Sequence, residues 1–185
     1  MKTFVSHLTQ QMGLSMKYSI ILMALLTILF TSMSQASGRV PFGHQVIAVQ
    51  NYSRVTEQIA ISGLISEGGV QALAATGFKT VIDLRTKNEG VMEEKALVDI
   101  AGMMYVNIPT TVAGITKEQV TAFTKVIESA QAPILIHDGS GNRASAMWAS
   151  YRITKGVDPE VAIEEARKTG LRPPLEEKLR EIMLN

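Results

Sequence analysis

The chain has 185 residues, 46% of them hydrophobic, with 18 basic and 17 acidic side chains and no cysteine. That length suits one domain with a proper core. The near-zero net charge gives no electrostatic case for nucleic acid, and the missing cysteines exclude disulfides and every thiolate mechanism.

Residues 1–36 differ from the rest. Lys17 precedes an apolar run from Ile20 to Phe30, and the small residues from Thr31 to Ala36 follow. This order of charged region, short apolar core and small-residue exit predicts a secretory signal ending near Ala36, and so an exported, periplasmic protein. The run is short for a membrane span, which needs about 20 apolar residues, so a membrane role is expected only through an uncleaved leader. Met16 offers a second possible start. Lys2 and Lys17 are the only charged residues of the leader, which leaves 16 basic against 17 acidic residues after it.

Residues 37–52 read as a lead-in whose apolar patch Val46–Val49 could add an edge strand, and residues 53–185 as one domain. Ile59 to Gly63 predicts a strand, and Ser66 caps a helix carrying Val70, Leu73 and Ala74 that Gly77 ends. Thr80 to Leu84 predicts a strand, followed by a helix over 88–101 with Val91, Leu97, Val98 and Ile100 as its apolar positions. Met104 to Ile108 is a third strand, stopped by Pro109. Thr116 and Gln119 match a capping box opening a helix with Val120, Phe123, Val126 and Ile127.

Pro133 to Ile136 is the most apolar strand, as suits the centre of a parallel sheet. A helix over 142–155 follows, then two more from Pro159 and Pro174. Strands and helices alternating at this spacing predict an α/β fold with a mostly parallel sheet.

Sites in such sheets lie beyond the carboxyl ends of the strands, where the stretch His137-Asp138-Gly139-Ser140-Gly141-Asn142-Arg143 stands. Gly139 and Gly141 let backbone N–H groups turn inward, the helix start adds partial positive charge, and Arg143 offers a planar fork of donors. Ser140 and Asn142 can add side-chain hydrogen bonds. His137 is expected to orient the loop through hydrogen bonds, and Trp148 to pack in the core. A plain tight turn uses the same glycines, so the loop alone does not establish a phosphate-like anion site.

The series Val81-Ile82-Asp83-Leu84-Arg85, Glu89, Gly102 to Pro109, Ile115-Thr116, His137 and Ser140 to Arg143 resembles the β-lactamase-hydrolase-like phosphatase-like domain. That family belongs to the cysteine-dependent dual-specificity and tyrosine phosphatase superfamily. The similarity runs from about residue 45 to 180. It implies a phosphatase-like, three-layer fold, a four- to five-stranded sheet with helices on both faces, and a cysteine nucleophile at the position of Asp138. Related phosphatases also place an aspartate acid in the loop after the strand ending near Pro109, whereas Thr110 to Ile115 holds no carboxylate.

With aspartate at the nucleophile position, three outcomes are open. Asp138 pairs with Arg143 and closes the site; it coexists with a ligand or protein partner in a binding module; or it attacks phosphorus itself as a carboxylate nucleophile. The last needs a charge-neutralising ion such as Mg²⁺, and the sequence shows no clustered carboxylates to hold one, so no metal or other cofactor is expected. The leading expectation is an exported protein of phosphatase fold without thiolate catalysis, binding an anion, a phosphorylated ligand or a protein partner through this loop. Glu89 reads equally as a solvated helix-start residue.

Overall fold

The computed structural model describes residues 46–184. The expected leader and the first part of the lead-in lie outside these residues.

Four strands are parallel: β2 (Ile59–Ser62), β3 (Thr80–Asp83), β4 (Met104–Asn107) and β5 (Ile134–His137). A short β1 (Ser53–Arg54) joins antiparallel to β2, giving the order β1-β2-β5-β3-β4. β5 is therefore central and every residue of it is buried, as its apolar run predicts.

The period of two sorts the strands onto two faces. Ile59, Ile61, Ile82, Ile134 and Ile136 face one core with Phe123, Met147, Trp148, Ile163 and Leu175. These come from helices α3 (Lys117–Ser129), α4 (Asn142–Thr154), α5 (Pro159–Thr169) and α6 (Pro173–Leu184). Ala60, Val81 and Leu135 face a second core with Val70, Leu73 and Val98, from α1 (Gly69–Ala75) and α2 (Val91–Ile100). Helices thus cover both faces of a five-stranded α/β sheet.

Several expectations are corrected. Val46–Val49 is not a strand: Ala48 and Asn51 take positive φ angles of 63° and 48°, which break extension, and only Val49 bridges to Ile65. α1 begins behind Gly68, itself left-handed, and Ser66 does not cap it. The helix expected over 88–101 is split by left-handed Gly90 into a 3-10 turn, Lys87–Glu89, and α2. α2 buries Val91, Glu94 and Val98 while Leu97 and Ile100 are exposed. The last helix starts one residue earlier, at Pro173, where a missing N–H costs nothing.

The capping box at Thr116 is present: Gln119 N donates to Thr116 Oγ1 and Thr116 N to Gln119 Oε1. Among the described residues no helix is long and apolar enough to cross a membrane.

Candidate functional site

The loop after β5 is held from three sides. Gly141 sits at φ 91°, a conformation that favours glycine, and turns the chain into α4. Asn51 donates to Ser140 O, and Asn142 Oδ1 accepts Arg172 N at the start of α6. Asn142 therefore ties the loop to the last helix and does not offer that oxygen to the cradle. Gly139 has no positive φ. A Cβ there would stand 3.6 Å from Arg143 Nη2 and 3.9 Å from Glu89 Oε1, so this glycine lines the floor of the cradle.

Asp138 is 1% exposed and turns back into its own loop. Its Oδ2 accepts Ser140 N and Arg143 Nε, both at 3.2 Å, and its Oδ1 accepts Ala144 N at 3.2 Å. The carboxylate thus takes up donors that an external anion would use. Arg143 is occupied on its other edge as well. Nη1 donates to Glu89 Oε2 at 3.0 Å and to Thr110 O at 2.9 Å, and Nη2 to Glu89 Oε1 at 2.7 Å. These bonds, those to Glu89 foremost, keep the guanidinium charged, and they hold the Glu89 carboxyl at a pKa of about 2.

Glu89 is therefore no solvated helix-start residue. Its Oε2 also accepts Thr86 N and Thr86 Oγ1, both at 2.7 Å, so the 3-10 turn aims it across 54 positions of sequence at Arg143. With a side chain 35% exposed, it is the one partner of Arg143 that reaches solvent.

Beneath the loop lies a second cluster, which the sequence did not reveal. His137 does not orient the loop through side-chain hydrogen bonds: it is fully buried on the α1/α2 face, and neither ring nitrogen has a hydrogen-bond partner. Nε2 stands 2.8 Å from Glu94 Oε1, too far off the ring N–H axis to be a hydrogen bond, and 3.5 Å from Asp83 Oδ1.

Arg85 binds both carboxylates, and its N and Nε donate to Asp83 Oδ1 at 2.8 and 3.0 Å. Its Nη2 lies 2.8 Å from both Asp83 Oδ2 and Glu94 Oε2, and its Nη1 donates to Glu89 O. Burial pushes the Asp83 carboxyl up, but hydrogen bonds from Arg85, the field of His137 and the Tyr105 O–H together hold it below the ordinary value. Burial and Asp83 raise the Tyr105 phenol well above its usual range.

This overturns the expectation that the chain has no clustered carboxylates: Asp83, Glu94 and His137 bring one oxygen or nitrogen each to within 4.8 Å of one another. One signal was available. Glu94 falls between Val91 and Val98 on the buried stripe of α2, where a charge has to be partnered. Trp148 packs in the core as expected.

The chain is similar to the beta-lactamase hydrolase-like protein of Agrobacterium fabrum, 30% identical over 121 residues that cover 63% of this chain and 28% of that protein. It spans about a quarter of the length of such curated relatives. A similar stretch occurs in the chloroplastic NAD kinase 2 of Arabidopsis thaliana, 32% identical over 116 residues, covering 57% of this chain and 12% of that one. Among solved structures, a DUF442 protein of Shewanella putrefaciens matches with a TM-score of 0.64 at 25% identity, covering 74% of this chain and 88% of that one. The family model described as DSP-PTPase phosphatase fused to NAD+ kinase matches residues 48–179, and the chain belongs to that family.

Proposed function

We propose that this phosphatase-fold protein does not perform thiolate catalysis and instead binds a phosphate-like anion, carried by a ligand or a protein partner, at the loop His137–Arg143. The observation that carries this reading is the inward turn of Asp138 onto Ser140 N, Ala144 N and Arg143 Nε. An internal carboxylate stands where the family resemblance puts the nucleophile, and it occupies part of the cradle.

Binding then requires Glu89 to leave Arg143, since Asp138 is buried and Glu89 is not. The exchange replaces one anion by another on the same guanidinium fork. Asp138 still opposes the newcomer. At about 4 Å and an effective dielectric near 20, each unit of like charge costs about 4 kcal/mol, so affinity is expected to be weak and to favour monoanions.

The competing reading makes Asp138 the nucleophile. Both its oxygens already accept hydrogen bonds, and the loop from Thr110 to Ile115 brings no acid for the leaving group. Glu89, at a pKa of about 2, is a poor proton donor near neutrality.

The test is hydrolysis of an aryl phosphate by the protein and by Asp138→Cys, each with and without Mg²⁺. The expected result is no turnover by the parent and measurable turnover by Asp138→Cys. Turnover by the parent that is lost in Asp138→Asn would overturn the proposal and establish the hydrolase. For binding, sulfate should raise the thermal midpoint of the parent slightly and that of Asp138→Asn more. An equal response in both would remove Asp138 from the account.

A further inference from the structure

We propose that Asp83, Glu94 and His137 form a buried binding site for a borderline divalent cation, with Zn²⁺ the best match. Two strands and a helix converge on it: Asp83 ends β3, His137 ends β5, and Glu94 lies in the first turn of α2. The strand register sets Asp83 directly beside His137. Their separation of 54 positions is why no spacing in the sequence announces the site.

Three observations converge. First, two of the three ligands hold unused donor atoms. Both nitrogens of His137 and Glu94 Oε1 are buried with no hydrogen-bond partner, which is costly for polar groups in a protein interior. Second, the spacing is that of a coordination shell. Metal–ligand distances near 2.0–2.2 Å at tetrahedral angles put neighbouring ligand atoms roughly 3.3 Å apart. Nε2 lies 2.8 Å from Glu94 Oε1 and 3.5 Å from Asp83 Oδ1.

Third, the direction of the close pair is wrong for a proton. A protonated ring nitrogen would aim its N–H at Oε1, but Oε1 lies off that axis. Ligands of one ion sit side by side in this way, their lone pairs meeting at a third point.

Charge and access agree with the assignment. Asp83 and Glu94 bring two negative charges against the one positive charge of Arg85, and a cation bound at His137 would take the place of a ring proton as the balancing charge. Arg85 Nη2 takes Oδ2 and Oε2, and Arg85 N and Nε donate to Oδ1 at 2.8 and 3.0 Å, so Oε1 remains free while Asp83 would share Oδ1 between Arg85 and the ion. A cavity of about 190 Å³ bordered by Ser66, Gly68, Arg85, Gly90 and Glu94 touches the cluster at Glu94, the one ligand that lines it. A nitrogen ligand with two carboxylates favours Zn²⁺ or Mn²⁺ over Mg²⁺, which prefers oxygen and retained water. With every ligand buried, the ion would pin β3, β5 and α2 together beneath the loop.

The experiment uses the full chain with His7 and His44 changed to Gln, so that His137 is its only histidine. After chelator treatment, Zn²⁺ is titrated against a chromophoric competitor while ¹⁵N spectra report the imidazole. The expected result is one equivalent bound per chain, a metal-induced shift of the His137 Nε2 resonance and a raised thermal midpoint. Glu94→Gln should weaken binding by more than the roughly 10–100-fold that losing a supporting residue costs. A folded protein whose His137 resonances ignore Zn²⁺ overturns the site, as does full affinity in Glu94→Gln. The histidine resonance keeps the question decidable if that variant fails to fold.

Discussion

Two arginines near the loop end of the sheet are each bound by two carboxylates, and their surroundings separate them. Arg85 bridges Asp83 and Glu94, with all three side chains at most 7% exposed. Arg143 is held by Asp138, equally buried, and by Glu89, which is 35% exposed. The first cluster has no partner it can release to water, so it acts as a fixed joint between β3 and α2. The second has one removable partner and can exchange it for an external anion. Arg85 Nη1 also donates to Glu89 O, so the sealed cluster positions the backbone of the gate in the open one.

The sharpest way to break this contrast is to remove each arginine in turn. Arg85→Met should leave Asp83 and Glu94 buried with only His137 beside them, a loss of about 3–5 kcal/mol. Arg143→Met should cost less, about 1–3 kcal/mol, because Glu89 turns to water and Asp138 keeps two backbone donors. Urea denaturation of both variants measures the difference. Equal losses would erase the distinction between sealed and open clusters. Only Arg143→Met should abolish the sulfate-dependent rise in thermal midpoint.

Acid sharpens the comparison through Glu89. Its folded pKa of about 2 lies below the ordinary 4.5 because of Arg143, so its contribution is fully present above about 4.5 and is lost as pH falls toward 2. Asp83 is shifted in the same direction and weakens the fold on the same acid limb. Glu89→Gln should therefore remove only part of the acid sensitivity. Its cost at neutral pH should be under about 1 kcal/mol, given the exposure of the pair, and its sulfate response should be larger than the parent's. Stability measured at pH 3 and pH 7 for both proteins checks the sign. A Glu89→Gln profile parallel to the parent's would remove Glu89 from the acid limb.

The sequence revealed these regions unequally. The sheet was legible because Ile134 to Ile136 and Val81-Ile82 form short apolar runs between helical periods, and the loop because Gly139, Gly141 and Arg143 fall within five residues. The charge clusters were not, since hydrogen bonds from Arg143 to Glu89 and from Tyr105 to Asp83 join distant positions. His137 reads as a loop residue by adjacency, but the alternation of a strand points it to the opposite side. The same alternation, applied to Asp83 and His137 together, would have placed them side by side on one face. Leu97 and Ile100 misled for a related reason: the stripe α2 buries runs through Val91, Glu94 and Val98, and counting apolar residues skips its charged member.

The smallest expected effect tests whether the gate is preset by its own turn. Thr86 gives Glu89 Oε2 two donors, a backbone N–H that substitution leaves in place and a hydroxyl that it removes. Thr86→Ala should thus cost about 0.5 kcal/mol, near the lower end for one exposed hydrogen bond. Because the lost bond restrains Glu89 in its Arg143-bound position, the same change should make Glu89 easier to displace. Sulfate affinity should therefore rise about twofold, as expected from that energy, while overall stability falls. If affinity falls together with stability, the hydroxyl supports the cradle as a whole, and Glu89 is a fixed wall of the site with no gating role.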